Sequence, residues 1–215
     1  MSEEKYVYMF EEGNIEMKEL LGGKGANLAE MTANGFPVPY GFTITTEVCS
    51  HYYANEKTYP ADLDPQMLAA VTKMEEKTGK KFGDPSNPLL VSVRSGAPVS
   101  MPGMMDTVLN LGLNDEVVEG LVAKTGNDRF VWDSYRRFIT MFGDVVMGVK
   151  HSSFEKILEG VKETNNIKED TEMTTEILKD LVGKQKALYK EETGENFPTD
   201  AIEQLKRARD AVFGS

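Results

Sequence analysis

Two short stretches of the sequence place a basic residue beside glycines, a combination that suits the binding of an anion. In the first, LLGGKGANLAEM, Lys24 lies among Gly22, Gly23 and Gly25 just before a predicted helix. Glycines let backbone amides turn towards a ligand, a helix start favours anions, and lysine adds a positive point charge. The stretch therefore fits a phosphate site, and it fits equally well a glycine turn with a solvated lysine.

This stretch matches neither of the two common nucleotide-binding motifs. A Walker A loop needs Gly-x-x-x-x-Gly before its lysine and Ser or Thr after it, whereas Gly25 follows Lys24. A dinucleotide fingerprint needs a third glycine at the position that Leu28 occupies. A phosphate site here would therefore be of another kind.

The second stretch, VSVRSGAPVSMPGMMDT, covers residues 91–107 and places Arg94 at the end of an apolar run. Side chains alternate along a strand, so Arg94 is predicted to share the more polar face with Ser92. A guanidinium forks onto carboxylate or phosphate oxygens, which suits either an anionic ligand or an internal Asp or Glu partner. Thr107 fits a phosphate contact or a cap, and Met105 fits adaptable core packing.

Other chemistry has less support in the sequence. His51 and His151 lie a hundred residues apart, and the single cysteine, Cys49, excludes an internal disulfide or a cysteine cluster. We therefore predict no metal site, and a catalytic thiol at Cys49 has little support. Arg137, next to Arg136 in a predicted aromatic helix, suits an anion or the polar side of the helix, because adjacent side chains diverge by about 100°.

The composition limits the class of partner. The formal net charge of −11 repels nucleic acid at long range, so we predict no nucleic-acid partner. No apolar run approaches the roughly 20 residues that span a bilayer, so we predict no membrane segment. The acidic opening, MSEEKYVYMFEEG, lacks the basic start and apolar core of a signal peptide. These features predict a cytoplasmic protein.

The secondary-structure signals change near residue 112. Before it, strands alternate with helices: YVYMF, GFTIT and PLLVSVR have strand patterns, and ANLAEMTANG has a helical pattern that ends at Asn34-Gly35. Thr45 or Thr46 is predicted to cap a second helix. Asp64-Pro65 is predicted to begin a third helix, which ends at Gly79.

After residue 112 the pattern is helical throughout. Apolar residues recur at the spacing of one helix face in three segments. A polar segment, ETNNIKEDTEM, is predicted to be a loop, and Asp200 is predicted to cap the last helix with Glu203 as its capping-box partner. The apolar positions are Val131, Tyr135, Phe138, Phe142 and Val145; Phe154, Ile157, Leu158 and Val161; and Ile177, Leu178, Leu181 and Val182.

Taken together and in order, these stretches resemble the pyruvate, phosphate dikinase family. LLGGKGANLAEMTANGFPVPYGFTITTEVC is similar to the opening of that family, LLVSVRSGAPVSMPGMMDTVLNLGLND to its second block and DRFVWDSYRRFITMFGDVVMGV to its third. Water-using dikinases share the Gly-Lys-Gly and Val-Arg-Ser elements, but SMPGMMDT is more similar to the phosphate-using family.

The resemblance implies an α+β fold, namely the first lobe of an ATP-grasp nucleotide-binding domain with an inserted helical subdomain. We expect this lobe over residues 1–112, the helical subdomain over 113–198 and a returning helix over 199–215. It also implies that Lys24 and Arg94 bind the ATP phosphates. Further candidates for the ATP pocket are Gly23, Gly25, Met105, Thr107 and Arg137.

The resemblance further implies a phosphotransferase that converts ATP, pyruvate and phosphate into AMP, phosphoenolpyruvate and diphosphate through a phosphohistidine. Family members are much longer, so we expect the second ATP-grasp lobe with its Mg²⁺ ligands, the phosphohistidine domain and the pyruvate-binding domain to lie outside this chain. We expect this chain to contain no catalytic residue and to be inactive in isolation, and we expect the full-length protein to be a homo-oligomer. The alternatives are the equivalent part of a pyruvate, water dikinase and a non-catalytic helical interaction module.

Overall fold

The computed structural model describes residues 4–96 and 107–215 of the chain. These residues form two compact units. The first comprises the described residues of Met1–Lys80 and Ser95–Met104, and the second those of Lys81–Arg94 and Met105–Ser215. Both units combine helices with short two-stranded sheets, so the predicted α+β class is confirmed.

The first unit pairs two short strands and packs three helices around them. The strands are antiparallel, with Val7 opposite Ile44 and Met9 opposite Phe42. They confirm the strands predicted for YVYMF and GFTIT. The elements are β1 (Val7–Met9), α1 (Lys18–Ala33), β2 (Phe42–Ile44), α2 (Thr46–Ala54) and α3 (Leu63–Thr78).

The outer edge of β1 is closed by a side chain rather than by another strand. The Gln66 side-chain oxygen accepts hydrogen bonds from the Tyr6 amide at 2.7 Å and the Val7 amide at 3.2 Å. Its amide nitrogen donates to the Glu4 carbonyl at 2.8 Å. Because an open strand edge can pair with another chain, this arrangement protects β1 and ties it to α3.

Two of the predicted helix starts in this unit are wrong. Helix α3 begins at Leu63 after Asp62, so Asp64 and Pro65 lie inside its first turn instead of opening it. Helix α1 begins at Lys18, eight residues before ANLAEMTANG, because the Gly-Lys-Gly segment is itself helical. The predicted end of α3 is confirmed, since Gly79 closes it with a φ of +66°.

The second unit contains two further sheets. The prediction of one strand over PLLVSVR is wrong, because the run is split at Leu90 and its two halves pair with different partners. An apolar run shows that a segment is suited to a strand but not where its hydrogen-bonding partner changes. The first sheet is parallel, β3 (Lys81–Phe82) with β4 (Pro88–Leu89), and the second is antiparallel, β5 (Val91–Val93) with β6 (Val108–Leu111).

The rest of the second unit is helical, as predicted. The core of this helical part is built around Phe197. Its ring meets the rings of Tyr135, Phe138 and Phe142 edge-on, at centroid distances of 5.5 to 6.5 Å. The helices are α4 (Asp115–Thr125), α5 (Asp128–Met141), α6 (His151–Thr164), α7 (Thr175–Thr193) and α8 (Ala201–Gly214), with a π-helical turn over Phe142–Val146.

The predicted apolar stripes and the last cap are confirmed in part. Val131 and Phe142 are buried, but Val145 is half-buried because it lies in the π-helical turn, where the α-helical spacing no longer holds. Asp200 caps α8 by accepting from the Glu203 amide at 2.7 Å. The Glu203 carboxylate does not complete a capping box and instead accepts from Arg207 at 3.0 Å. No helix in the described part of the chain is long and apolar enough to cross a membrane.

Candidate functional site

The helix α1 is interrupted at Gly22, just before the predicted site. Gly22 has a φ of +69° and a ψ of 168°, a conformation that is essentially restricted to glycine. A Cβ atom at this position would also lie 2.9 Å from the carbonyl oxygen of Gly96. The helix resumes at Gly23, so Lys24 lies in the first turn of a helical segment. The prediction that Lys24 lies just before the helix is therefore wrong.

Lys24 is held by a residue of the second glycine-containing stretch. Its Nζ atom donates a hydrogen bond to the carbonyl oxygen of Ser95 at 3.1 Å. Lys24 is half-buried and Ser95 is buried. With the close approach of Gly96 to Gly22, this gives two contacts between segments that are more than seventy residues apart. Ser95 was not among the predicted site residues, because a backbone carbonyl acceptor leaves no mark on residue type.

The two glycines that flank Lys24 have different surroundings. Gly25 is buried, and a Cβ there would lie 2.8 Å from the Thr43 methyl group of β2. Gly25 is therefore required for packing of the helix against the strand. A Cβ at Gly23 would have no neighbour within 4 Å, so packing does not explain this glycine. Gly23 leaves open space at the start of the resumed helix, where amides lack helical acceptors.

Arg94 lies in the second unit, directly after β5. Ser92 and Arg94 are exposed while Val91 and Val93 are half-buried, so the predicted alternation of faces is confirmed. Among the described residues of its own unit, no carboxylate forms an ion pair with the Arg94 guanidinium. This part of the chain therefore provides no support for the interpretation of Arg94 as half of an internal ion pair.

The pairing of β5 with β6 brings Arg94 and Thr107 to the same end of one sheet. Val93 is opposite Val108, and the next residue outward is Arg94 on one strand and Thr107 on the other. Residues in facing positions of an antiparallel pair lie on the same face. Thr107 is half-buried, and Met105 lies outside the described residues.

The remaining arginine candidate lies on α5, also in the second unit. The Arg137 side chain is 65% exposed and its guanidinium lies 2.9 Å from the Asp133 carboxylate. Its neighbour Arg136 is buried and bonds to Asp133 at 2.8 Å and to Asp170 at 2.6 Å. Both arginines contact the Asp133 carboxylate, but Arg136 is buried within a structural ion-pair network whereas Arg137 lies on the polar side of the helix.

The two histidines do not form a joint site. His151 is exposed and its Nδ1 atom lies 2.9 Å from the Asp144 carboxylate, while His51 lies on α2 in the other unit. Within residues 4–96 and 107–215, no group of three or more His, Cys, Asp or Glu side chains could hold a metal ion.

An α+β chain with a lysine at an interrupted helix start and an arginine at a strand end fits the class of phosphate-binding proteins. The comparisons with known proteins define the class more narrowly. The family described as "Pyruvate phosphate dikinase, AMP/ATP-binding domain" matches residues 18–61 and 55–208, and the chain belongs to this family.

Individual relatives agree with the family assignment. The chain is 58% identical over 212 residues to "Pyruvate, phosphate dikinase" of Clostridium symbiosum, covering 98% of this chain and 24% of that protein. It is 56% identical over 204 residues to the chloroplastic enzyme of Mesembryanthemum crystallinum, covering 95% of this chain and 21% of that protein. It is 53% identical over 216 residues to the chloroplastic enzyme 1 of Arabidopsis thaliana, covering 99% and 22%. The chain thus spans less than a quarter of the length of these relatives.

Proposed function

We propose that the chain binds ATP by its phosphates, with Lys24 and Arg94 as the cations that contact them. The observation that carries this proposal is the match of residues 18–61 and 55–208 to an AMP/ATP-binding domain, a range that includes both cations. Within the first unit, Lys24 donates a hydrogen bond to the Ser95 carbonyl. Phosphoryl transfer is catalysed mainly by positioning and by neutralisation of charge, and these two side chains have the required charge. Gly23, with open space beside it, leaves room for a phosphate to approach the backbone.

The other candidate residues of the ATP pocket differ in the observations that support them. Thr107 is supported by its place beside Arg94 at the end of the β5–β6 sheet. Arg137 is supported by its exposure and by the Asp133 carboxylate that holds it. Gly25 is explained by its packing against Thr43, which positions Lys24 indirectly. Met105 stays a prediction from the resemblance alone.

The family membership extends this proposal to the protein that contains the chain. We propose that it is a pyruvate, phosphate dikinase that converts ATP, pyruvate and phosphate into AMP, phosphoenolpyruvate and diphosphate, with a histidine in a later domain as the phosphoryl carrier. The chain would supply the first lobe of an ATP-grasp domain, with its helical subdomain inserted after about residue 112. The names of the relatives favour this function over that of a water-using dikinase.

The described residues do not offer a Mg²⁺ site of their own. We therefore propose that the Mg²⁺ ligands lie on the second lobe and that this chain contributes only the cations on the opposite side of the phosphates. We also propose a cytoplasmic location and a homo-oligomeric full-length protein, for which the composition of the chain and the family resemblance are the support.

The test is the replacement of each cation in the protein that contains this chain. We expect Lys24→Ala and Arg94→Ala to lower AMP formation on the order of 100-fold, as the loss of one charge-stabilising donor does elsewhere. Lys18→Ala is the matched control, since Lys18 is an exposed lysine of the same helix on the other side of Gly22. Wild-type rates in both variants would refute the assignment of Lys24 and Arg94. Leaving out phosphate or pyruvate in turn tests the reaction, because a water-using enzyme would not need inorganic phosphate.

A further inference from the structure

Leu109 is a large apolar side chain on the strand that also positions Thr107. It lies in β6 and is 50% exposed, although its neighbour Val108 and the strand's last residue, Leu111, are fully buried. A single exposed leucine is ordinary in a soluble protein and needs no explanation. The position of Leu109 relative to the proposed phosphate site is what gives it significance.

Strand geometry places Leu109 on the face that carries the proposed phosphate contacts. Val108 is buried and Leu109 is exposed, so Leu109 lies on the outward face of β6, and alternation places Thr107, two residues earlier, on the same side. Arg94 follows β5 at this end of the sheet, whose pairing is irregular between Val91 and Val93. Residues two apart on a strand are separated by about 6.5 Å along the chain direction. Leu109 therefore lies one side-chain position further along the sheet than Thr107, away from the end where Arg94 leaves β5.

ATP has charged phosphates at one end and a largely apolar nucleoside at the other, and the groups along this face of the sheet follow the same order. A phosphate chain held at Arg94 and Thr107 can direct the nucleoside along the outward face of β6, where Leu109 offers an apolar surface. Ser92, an exposed residue of β5 within the irregular part of the pairing, adds only a small hydroxyl side chain. The outward face thus changes from cationic and polar to apolar along the strand.

We infer that Leu109 contacts the nucleoside of ATP and contributes to the discrimination between ATP and other polyphosphates. This inference rests on the proposed function, because it takes the phosphate position from Arg94 and Thr107. The inference adds Leu109 to the proposed site as a residue that determines specificity for a nucleotide. Inorganic tripolyphosphate has the phosphates but no nucleoside, so it would not contact Leu109.

The experiment compares two replacements that are both β-branched, so that strand propensity is kept. Leu109→Thr removes most of the apolar surface, whereas Leu109→Ile keeps it. The affinities of ATP and of tripolyphosphate are measured by calorimetry for both variants in the protein that contains this chain. We expect Leu109→Thr to weaken ATP about fivefold, the effect of losing about half the burial of a leucine, and to leave tripolyphosphate unchanged. Leu109→Ile should bind both ligands like the wild type.

The outcomes separate this inference from the proposed function. If Leu109→Thr binds ATP as tightly as the wild type, or weakens both ligands equally, Leu109 does not contact the nucleoside and the inference is wrong. Lys24→Ala, measured alongside, is expected to weaken both ligands. If it weakens neither, the phosphate site itself is wrong, whatever Leu109 does. Thermal unfolding of the Leu109→Thr variant is the control for folding, and a midpoint equal to that of the Leu109→Ile variant is expected.

Discussion

Replacement of the two adjacent glycines before Lys24 by alanine should have opposite effects on stability. Gly22 has a positive φ in a region restricted to glycine, and a Cβ there would lie 2.9 Å from the Gly96 carbonyl oxygen. The conformation alone costs an alanine on the order of 1–3 kcal/mol, and the contact adds to this. Gly23 is helical and a Cβ there would have no neighbour within 4 Å, so alanine should gain about 0.5–1 kcal/mol.

The two variants should therefore differ by about 2–4 kcal/mol, which corresponds to roughly 5–10 °C in unfolding temperature for a protein of this size. The assay is thermal unfolding of wild type, Gly22→Ala and Gly23→Ala without ligand, followed by titration with ATP. Equal unfolding temperatures for the two variants would show that the interruption of α1 at Gly22 is not as described. If Gly23→Ala is stable and still binds ATP with wild-type affinity, Gly23 does not leave room for a phosphate.

Two further predictions concern the second unit. Gln204 is 0% exposed and forms three hydrogen bonds of 2.8 Å, accepting from the Gly112 amide and donating to the carbonyls of Leu113 and Pro198. Gln204→Leu should lower the free energy of unfolding in urea by about 3 kcal/mol or more, because each buried polar group left without a partner costs about 1–3 kcal/mol. A loss below about 1 kcal/mol would contradict this prediction. Burial opposes ionisation of Asp170, but hydrogen bonds from Lys162 and Arg136 outweigh it and hold its pKa below the ordinary 3.8. A lowered pKa stabilises the fold above the unfolded-state pKa, and this stabilisation is lost as the pH falls through the folded-state value. Asp170→Asn should therefore lower the unfolding temperature at neutral pH and make it decline less steeply as the pH falls. Parallel curves of unfolding temperature against pH for the variant and the wild type would contradict the prediction.

Much of the fold follows from local patterns in the sequence. The aromatic spacing in α5 predicted its buried face because one stripe at helical spacing has few other uses in a soluble chain. The split of PLLVSVR at Leu90 was not predictable, because strand pairing depends on segments distant in the chain. The start of α1 was missed for a different reason. Glycines disfavour a helix by their propensity, but the contact of Gly25 with Thr43 requires a small residue inside this one.

The candidate site shows the same division between residue type and position. Lys24 and Arg94 were recognisable because a cation beside glycines is an informative combination of residue types. Ser95 was not recognisable, since it acts through its backbone carbonyl. Thr107 was a candidate on residue type and resemblance, but its place at the same end of the sheet as Arg94 depends on strand pairing. Register is fixed by which valines face inward, so the facing pair of Val93 and Val108 determines which polar residues meet one position further on.

The hydrogen bond of Lys24 also bears on how this cation can act. A lysine ammonium has three donors, and the Ser95 carbonyl occupies one of them. Two donors remain for phosphate oxygens, so the bond to Ser95 can position the amine during ligand binding without being given up. A guanidinium at this position would be longer and planar, so its contact with Ser95 and its donors towards a phosphate would have a different geometry. If the proposed function is right, Lys24→Arg should therefore weaken ATP binding although it keeps the charge, and wild-type affinity would show that the geometry of this contact does not matter.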